Sequence, residues 1–166
     1  MEKRWISLYV ENEVGVLAKI SGLFSAKSYN LLSLTVGETE DETVSRMTIG
    51  LLSDDSTFEQ IKKQLIRSVS VIKVIDLTDV PVHRKELLFI RVNKCQGDKI
   101  EEIFRIAKVF GVTVCDYGKG SVILECLQTE GKNHELTELL RESFGRRIQF
   151  VRGGSVAIEA IFREEG

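Results

Sequence analysis

The sequence predicts an α+β protein built from two tandem βαββαβ units. Three observations carry that prediction. Strand-like runs with alternating apolar residues recur along the chain, and segments with apolar residues at helical spacing interrupt them in the same order twice. The only proline, Pro81, falls between the two halves. At 166 residues the chain is long enough for each half to bury a core of its own.

The first half opens on residues 3–10, where Ile6, Leu8 and Val10 alternate on one side of a half-buried strand. From Val16 to Ser28, Leu17, Ile20 and Phe24 share one helical face, with Ala18, Ser21, Gly22 and Ser25 adding small residues for close packing. Two strands follow, Leu31–Glu38 and Thr43–Leu52, the latter with Met47, Ile49 and Leu51 alternating; polar Thr39–Glu42 makes the hairpin loop. Ser56 and Glu59 have the spacing of a capping box, predicting a helix with Phe58, Ile61 and Leu65 inward. A strand over Val71–Leu77 closes the unit.

The order then repeats. Glu86–Val92 reads as a strand. Asp98 begins a helix, with Glu101 completing a second capping pattern, Ile100, Ile103, Phe104 and Ala107 on one face, and Gly111 as the helix-ending glycine. Val112–Asp116 and Ser121–Leu127 make a hairpin across Gly118-Lys119-Gly120, and Leu136, Leu139, Leu140 and Phe144 mark a helix ending at Gly145. The last strand, Ile148–Phe162, is interrupted by Gly153-Gly154, a pattern that predicts a bulge or bend. This is the split-βαβ, ferredoxin-like plan written twice: a domain over 1–78, a linker over 79–85 and a domain over 86–166. Each unit puts two helices on one face of its sheet and leaves the other face and the edges to be covered, which predicts a homodimer or larger.

Composition excludes several classes of function. With 23 basic and 25 acidic residues the net charge is −2, against the basic face that phosphate neutralisation on a nucleic acid requires. No apolar run approaches the ~20 residues that span a bilayer. The first residues enter an alternating strand directly, unlike a secretory leader, so the expected location is the cytoplasm. The cysteines, Cys95, Cys115 and Cys126, are odd in number and show no metal-ligand spacing; small buried hydrophobes in a reducing compartment are expected. His83 and His134 fall at polar positions and read as surface residues. No HExxH, GxSxG, Walker or GxGxxG motif occurs. Carboxylate pairs such as Glu101/Glu102 and Glu164/Glu165, and the basic pairs Lys62-Lys63 and Arg146-Arg147, read as solvated surface. Neither a catalytic constellation nor a metal site is expected.

One stretch remains for chemistry, Asn12–Gly15 at the entrance of the first helix. The first turn of a helix offers unpaired N–H groups and a partial positive charge, which suit a carboxylate. Gly15 would let a ligand approach the backbone, and Asn12 offers a donor and an acceptor. Asn30 is expected at the same end of the unit, with Val14, Val16, Leu31 and Leu32 lining an apolar pocket. On the residues alone, the reading of Asn12 and Gly15 as plain turn formers is the favoured one.

The stretch LYVENEVGVLAKISGLFSAKSYNLLSLTVGETE, with SRMTIGL and EQIKKQLIRSVSVIKVIDL after it, closely resembles the small regulatory subunit family of acetolactate synthase (acetohydroxyacid synthase). The match covers most of residues 1–92 and continues more loosely to Arg152-Gly153-Gly154. The resemblance implies that the first unit is an ACT domain, a βαββαβ module that binds amino acids at dimer interfaces. It implies valine as a feedback inhibitor, a homodimer through the ACT domain, and a separate catalytic subunit carrying thiamine diphosphate, magnesium and FAD, with no cofactor in this chain. The family's effector-binding asparagine and glycine in ENxxGVL fall on Asn12 and Gly15, and the asparagine of its YN motif falls on Asn30. Taken with the apolar residues around these three, the expected effector site is Asn12, Val14, Gly15, Val16, Leu17, Asn30, Leu31 and Leu32. The family commonly has Ile-Glu after that last asparagine; Leu31-Leu32 here make the site edge more apolar. Arg-Gly-Gly replaces its Arg-Thr-Gly. The competing readings are a free-standing ACT-type amino-acid sensor with another partner and, third, a small ferredoxin-like enzyme.

Overall fold

The computed structural model describes residues 1–161; Phe162, at the end of the last expected strand, and the Glu164/Glu165 pair lie outside the described residues. The elements run β1 (Glu2–Glu11), α1 (Val16–Ala26), β2 (Leu31–Glu38), β3 (Val44–Ser53), α2 (Asp55–Ile66), β4 (Val71–Asp76), β5 (Val82–Asn93), α3 (Asp98–Phe110), β6 (Thr113–Gly118), β7 (Ser121–Gln128), α4 (Glu130–Phe144) and β8 (Ile148–Glu159). They form two four-stranded antiparallel sheets, ordered β2-β3-β1-β4 and β6-β7-β5-β8. The predicted tandem βαββαβ plan is the observed one.

Among the described residues, the compact units are 1–83 together with 155–161, and Arg84–Gly154. The strand pattern of β5 reaches back to Val82, directly after Pro81, so the irregular connection is Leu77–Pro81. In the first unit Ile6, Leu8 and Val10 of β1, Met47, Ile49 and Leu51 of β3, Ile20 and Phe24 of α1, and Phe58, Ile61 and Leu65 of α2 make one core. Residues Ser155, Ala157 and Glu159 of β8 lie against the other face of this sheet. Ser155 N–H donates to Ser33 Oγ at 3.1 Å, Thr35 Oγ1 donates to Ser155 O at 3.0 Å, and Arg46 pairs with Glu159 at 2.8 Å. Ala157 packs with Trp5 and Leu77. In the second unit Leu88, Ile90, Val92, Val122 and Leu124 face Ile103, Ala107, Leu136 and Leu140.

Several local expectations are corrected. Val16 rather than Leu17 completes the buried stripe of α1; Leu17 is 43% exposed and Val16 3%. The helix starts one residue after Gly15, and the spacing from Ile20 and Phe24 puts Val16 on their face. The same helix stops at Ala26, because Ser28 takes φ +57° and Tyr29 N–H returns to Phe24 O. Helix α2 is capped by Asp54, whose carboxylate accepts from Thr57 N–H at 2.8 Å and Thr57 Oγ1 at 2.9 Å. That supplies the cap a Ser56/Glu59 box was expected to provide, two residues earlier. Gly97, not Asp98, holds the cap position of α3, without a side-chain bond. Phe104 lies on the rim, meeting Tyr117 edge-to-face with ring centres 5.8 Å apart. Gly111 does end α3, at φ +65°, ψ +35°. Cys95 and Cys126 are buried, but Cys115 is exposed, because the irregularity between Val114 and Asp116 leaves it outside the ladder.

Candidate functional site

The β1–α1 connection turns tightly. Gly15 sits just before the helix with φ +87°, ψ −6°, a left-handed conformation that disfavours a side chain, and apart from the glycine and its two chain neighbours no heavy atom of the described residues lies within 4 Å of where a Cβ would stand. Val16 N–H reaches Glu13 O at 3.3 Å and Lys19 N–H returns to Gly15 O. Helix α1 has no side-chain cap and no acidic residue in its first turn. The other three long helices each carry an acidic residue there: Asp55, Asp98 with Glu101, and Glu130. The first turn of α1 thus carries no acidic side chain of its own to offset its positive end.

Asn12, directly after β1, is tied to the β2–β3 hairpin. Its backbone N–H donates to Thr43 O at 2.8 Å, its Nδ2 donates to Glu42 O at 2.9 Å and to Glu38 Oε1 at 3.4 Å, and its Oδ1 accepts from Ser45 Oγ at 3.0 Å. The hairpin that receives these bonds is itself fixed by Asp41, whose carboxylate accepts from Thr43 Oγ1 at 2.6 Å and Thr43 N–H at 2.9 Å. Those bonds hold the Asp41 carboxyl below its ordinary pKa. Ser45, Glu42 and Glu38 were not legible as partners of Asn12; only the strand register reveals them, because Glu11 stands opposite Val44 and Glu38 opposite Ser45.

The same register corrects the expected position of Asn30. Leu31 pairs with Leu51, and Leu51 with Arg4, at the far end of the sheet from Asn12. Helix α1 runs back along the sheet, so β2 starts where β1 starts and not where β1 ends. Leu31–Glu38 spans the length of the strand, roughly 23 Å at ~3.3 Å per residue. Within one chain, Asn12, Val14, Gly15, Val16 and Leu17 form one group, and Asn30, Leu31 and Leu32 another. Val14 and Asn30 are fully or largely exposed, Leu17 and Leu32 are exposed by 43% each, Leu31 packs partly against the core, and Val16 lies inside it. Strand β2, which joins the two groups, is an edge strand with one side unpaired among the described residues.

His83 and His134 are exposed, and among the described residues no group of His, Cys, Asp and Glu side chains could hold a metal ion. No helix of the described residues is long and apolar enough to cross a membrane.

Comparisons with known proteins agree with this architecture. Residues 6–73 match the family described as AHAS small subunit-like ACT domain, and residues 85–161 match that described as small subunit of acetolactate synthase. The acetolactate synthase small subunit of Aquifex aeolicus is 39% identical over 167 residues, covering 99% of this chain and 86% of that protein. A probable acetolactate synthase small subunit of Archaeoglobus fulgidus is 38% identical over 156 residues, covering 94% of this chain and 96% of its own length. The crystal structure of the acetolactate synthase small subunit from Thermotoga maritima superposes with a TM-score of 0.87 at 29% identity, over 98% of this chain and 100% of that one. With an ACT domain in its first unit and both family descriptions matched in order, this chain belongs to the acetolactate synthase small subunit family.

Proposed function

We propose that the chain is the regulatory subunit of an acetolactate synthase, which activates a separate catalytic subunit and confers feedback inhibition by valine bound where two first units meet. The observation that carries the reading is the placement of Asn12 and Asn30 at opposite ends of an unpaired edge strand. One copy cannot bring both to a ligand as small as valine. A second copy can, if its β2 pairs antiparallel with the first about a twofold axis. Each strand start then lies beside the other strand's end, and Asn30, Leu31 and Leu32 of one copy come next to Asn12, Val14, Gly15 and Leu17 of the other. Two equivalent sites result.

In such a site the uncapped end of α1 receives the carboxylate of the amino acid. Gly15 keeps the approach clear. The Asn12 Nδ2 hydrogen now given to Glu38 over 3.4 Å is the one free to turn to the ligand, while the shorter bond to Glu42 O holds the side chain in place. The exposed Val14, Leu17 and Leu32 receive the branched side chain. Because the ligand lies between copies, its binding energy depends on how the copies are held, and a difference of ~1–3 kcal/mol between two arrangements suffices for regulation. Calorimetric titration of the full chain with valine, leucine and isoleucine, alone and with the catalytic subunit, tests the reading. Saturable binding at one valine per chain supports it, and absence of binding in both conditions rejects it. Thiamine diphosphate, magnesium and FAD belong, in this reading, to the catalytic subunit, and the cytoplasm is the place of action.

A further inference from the structure

The helix-free face of the second sheet carries an apolar band with charged residues set into it, Arg91 and Glu125 at its centre and Asp116 beside Ile123 on β6. On β5, Leu88, Ile90 and Val92 point to the helices, so Leu87, Phe89 and Arg91 point the other way. The register sets Leu87 opposite Leu127, Phe89 opposite Glu125 and Arg91 opposite Ile123. Directly paired residues share a face, so these six side chains form one surface. Leu87, Phe89 and Leu127 are 38–60% exposed, and Val151 of β8 beside them is 63% exposed. Arg91 and Glu125 are both exposed, and neither is paired with another described residue of its own chain.

The arrangement of four of these residues is self-complementary. Phe89, Glu125, Ile123 and Arg91 occupy the corners of a rectangle about 5 Å by 7 Å, with the charges on one diagonal and the apolar pair on the other. A twofold axis lying in the plane of contact, close to the Phe89–Ile123 diagonal, exchanges the two charged corners. Arg91 then falls on Glu125 of the second copy, and the reverse, while Phe89 and Ile123 each face themselves. The strands of the two sheets cross near right angles, one of the two stable ways that sheets pack face to face. Isologous contacts need this kind of pattern, and each unpaired charge finds its opposite at the moment its surroundings become dry.

We infer that this face is a homodimer interface of its own, in which the Arg91 and Glu125 pair of one second unit docks crosswise on that of a second copy. The test uses the full chain with Cys115→Ser, which removes the exposed native thiol, and Ile123→Cys, which places a thiol at the axis. Mild oxidation is expected to give a covalent dimer through Cys–Cys contact across the axis, since Cβ atoms ~3.8 Å apart close a disulfide readily. Adding Arg91→Glu or Glu125→Arg alone is expected to abolish the covalent dimer by opposing like charges, and combining the two is expected to restore it. Circular dichroism of each variant verifies folding. No covalent dimer in the starting variant overturns the inference. So does a dimer indifferent to Arg91→Glu, a failure of the double reversal to restore it, or its suppression by the catalytic subunit, which would assign the face to that partner.

Discussion

Asn12 and Asn30 stand at opposite ends of β2, separated by the length of the strand, with Asn12 bonded to the residues that follow it and Asn30 exposed before it. If both serve one valine, they come from different copies, and this makes a sharp prediction. Homodimers of Asn12→Ala or of Asn30→His lose both sites, since each site needs both residues. A mixed dimer with one Asn12→Ala and one Asn30→His chain has one site with both defects and one with neither. Co-expressed, differently tagged chains purified as the mixed dimer should bind valine with native affinity at half the native stoichiometry by calorimetry. Two weakened sites and no native one would place both residues in the same copy's site.

Gly15 separates backbone strain from ligand exclusion. Its φ of +87° makes any L-residue unfavourable by about 1–2 kcal/mol, while the space around its Cβ position is open. Gly15→Ala should therefore lower the thermal midpoint by a few degrees yet keep valine binding within a few-fold of native. Gly15→Asp carries no more strain and puts a carboxylate at the positive end of α1, where it both stabilises the helix and competes with the ligand's own. Thermal unfolding and calorimetry on the two variants should show a midpoint for the aspartate variant no lower than that of the alanine variant, with a selective loss of binding in the aspartate variant. Equal binding in both would remove the anion-receiving role of this helix end.

The fold was legible because its signals are local. Period-two alternation in β1 and β3 and helical spacing in α2 are each written within one element, and Gly111 ends α3 by its own conformational freedom. The motif residues Asn12, Gly15 and Asn30 were legible as well, but their relation to each other was not. It depends on strand register, a long-range property that local spacing does not encode. The bonds of Asn12 to Glu42 and Ser45 follow from that register, as does the separation of Asn30. The cap of α2 was misplaced because Asp54, Asp55 and Ser56 are all competent N-caps, and the choice rests on Thr57 offering two donors to one carboxylate. The return of Ser155–Glu159 to the first sheet had no signal in the sequence; Arg46 and Glu159 are 113 positions apart.

Lys62 predicts a specific pH dependence. Its Nζ lies 2.8 Å from Asp76 Oδ2 and also bonds Glu59, joining α2 to β4. Burial by itself would raise the Asp76 carboxyl, but the hydrogen bonds from Lys62 and Thr78 outweigh it and leave the pKa below the ordinary value. The bonds from Asp76 and then Glu59 raise that of Lys62. A depressed carboxyl stabilises the fold above its unfolded pKa of ~3.9, and that contribution is lost as pH falls through the lower folded value. The raised lysine contributes below ~10.4 and ceases to as pH rises through its folded value. The pair therefore contributes between about pH 4 and pH 10, by no more than ~1 kcal/mol because both groups are partly exposed. Urea unfolding of Asp76→Asn should show that loss at pH 7 and converge on the native stability only as the pH falls below the lowered folded value of the carboxyl. A constant difference at all pH values would show that packing, not charge, is responsible.

Trp5 depends on an absent side chain. Gly50 pairs with it across β1 and β3, and a Cβ at Gly50 would stand 2.8 Å from the indole Cζ3 and 2.9 Å from Cη2. Those distances are shorter than carbon atoms tolerate, and the ring cannot swing away freely, because Ala157 and Leu77 close its other contacts and leave it 4% exposed. Gly50 is not at positive φ, so Gly50→Ala carries no strain in its own backbone. In a β-strand, exchanging glycine for alanine ordinarily gains stability by reducing the freedom of the unfolded chain. Here the overpacking should reverse the sign and destabilise the first unit by about 1–3 kcal/mol. Trp5 is the only tryptophan, so its fluorescence reports this site alone. Urea unfolding followed by that signal should show the lower midpoint together with a red-shifted native spectrum, as the displaced indole meets water. Trp5→Phe combined with Gly50→Ala, monitored by circular dichroism, should recover most of the loss, because the smaller ring vacates the space that the new methyl needs.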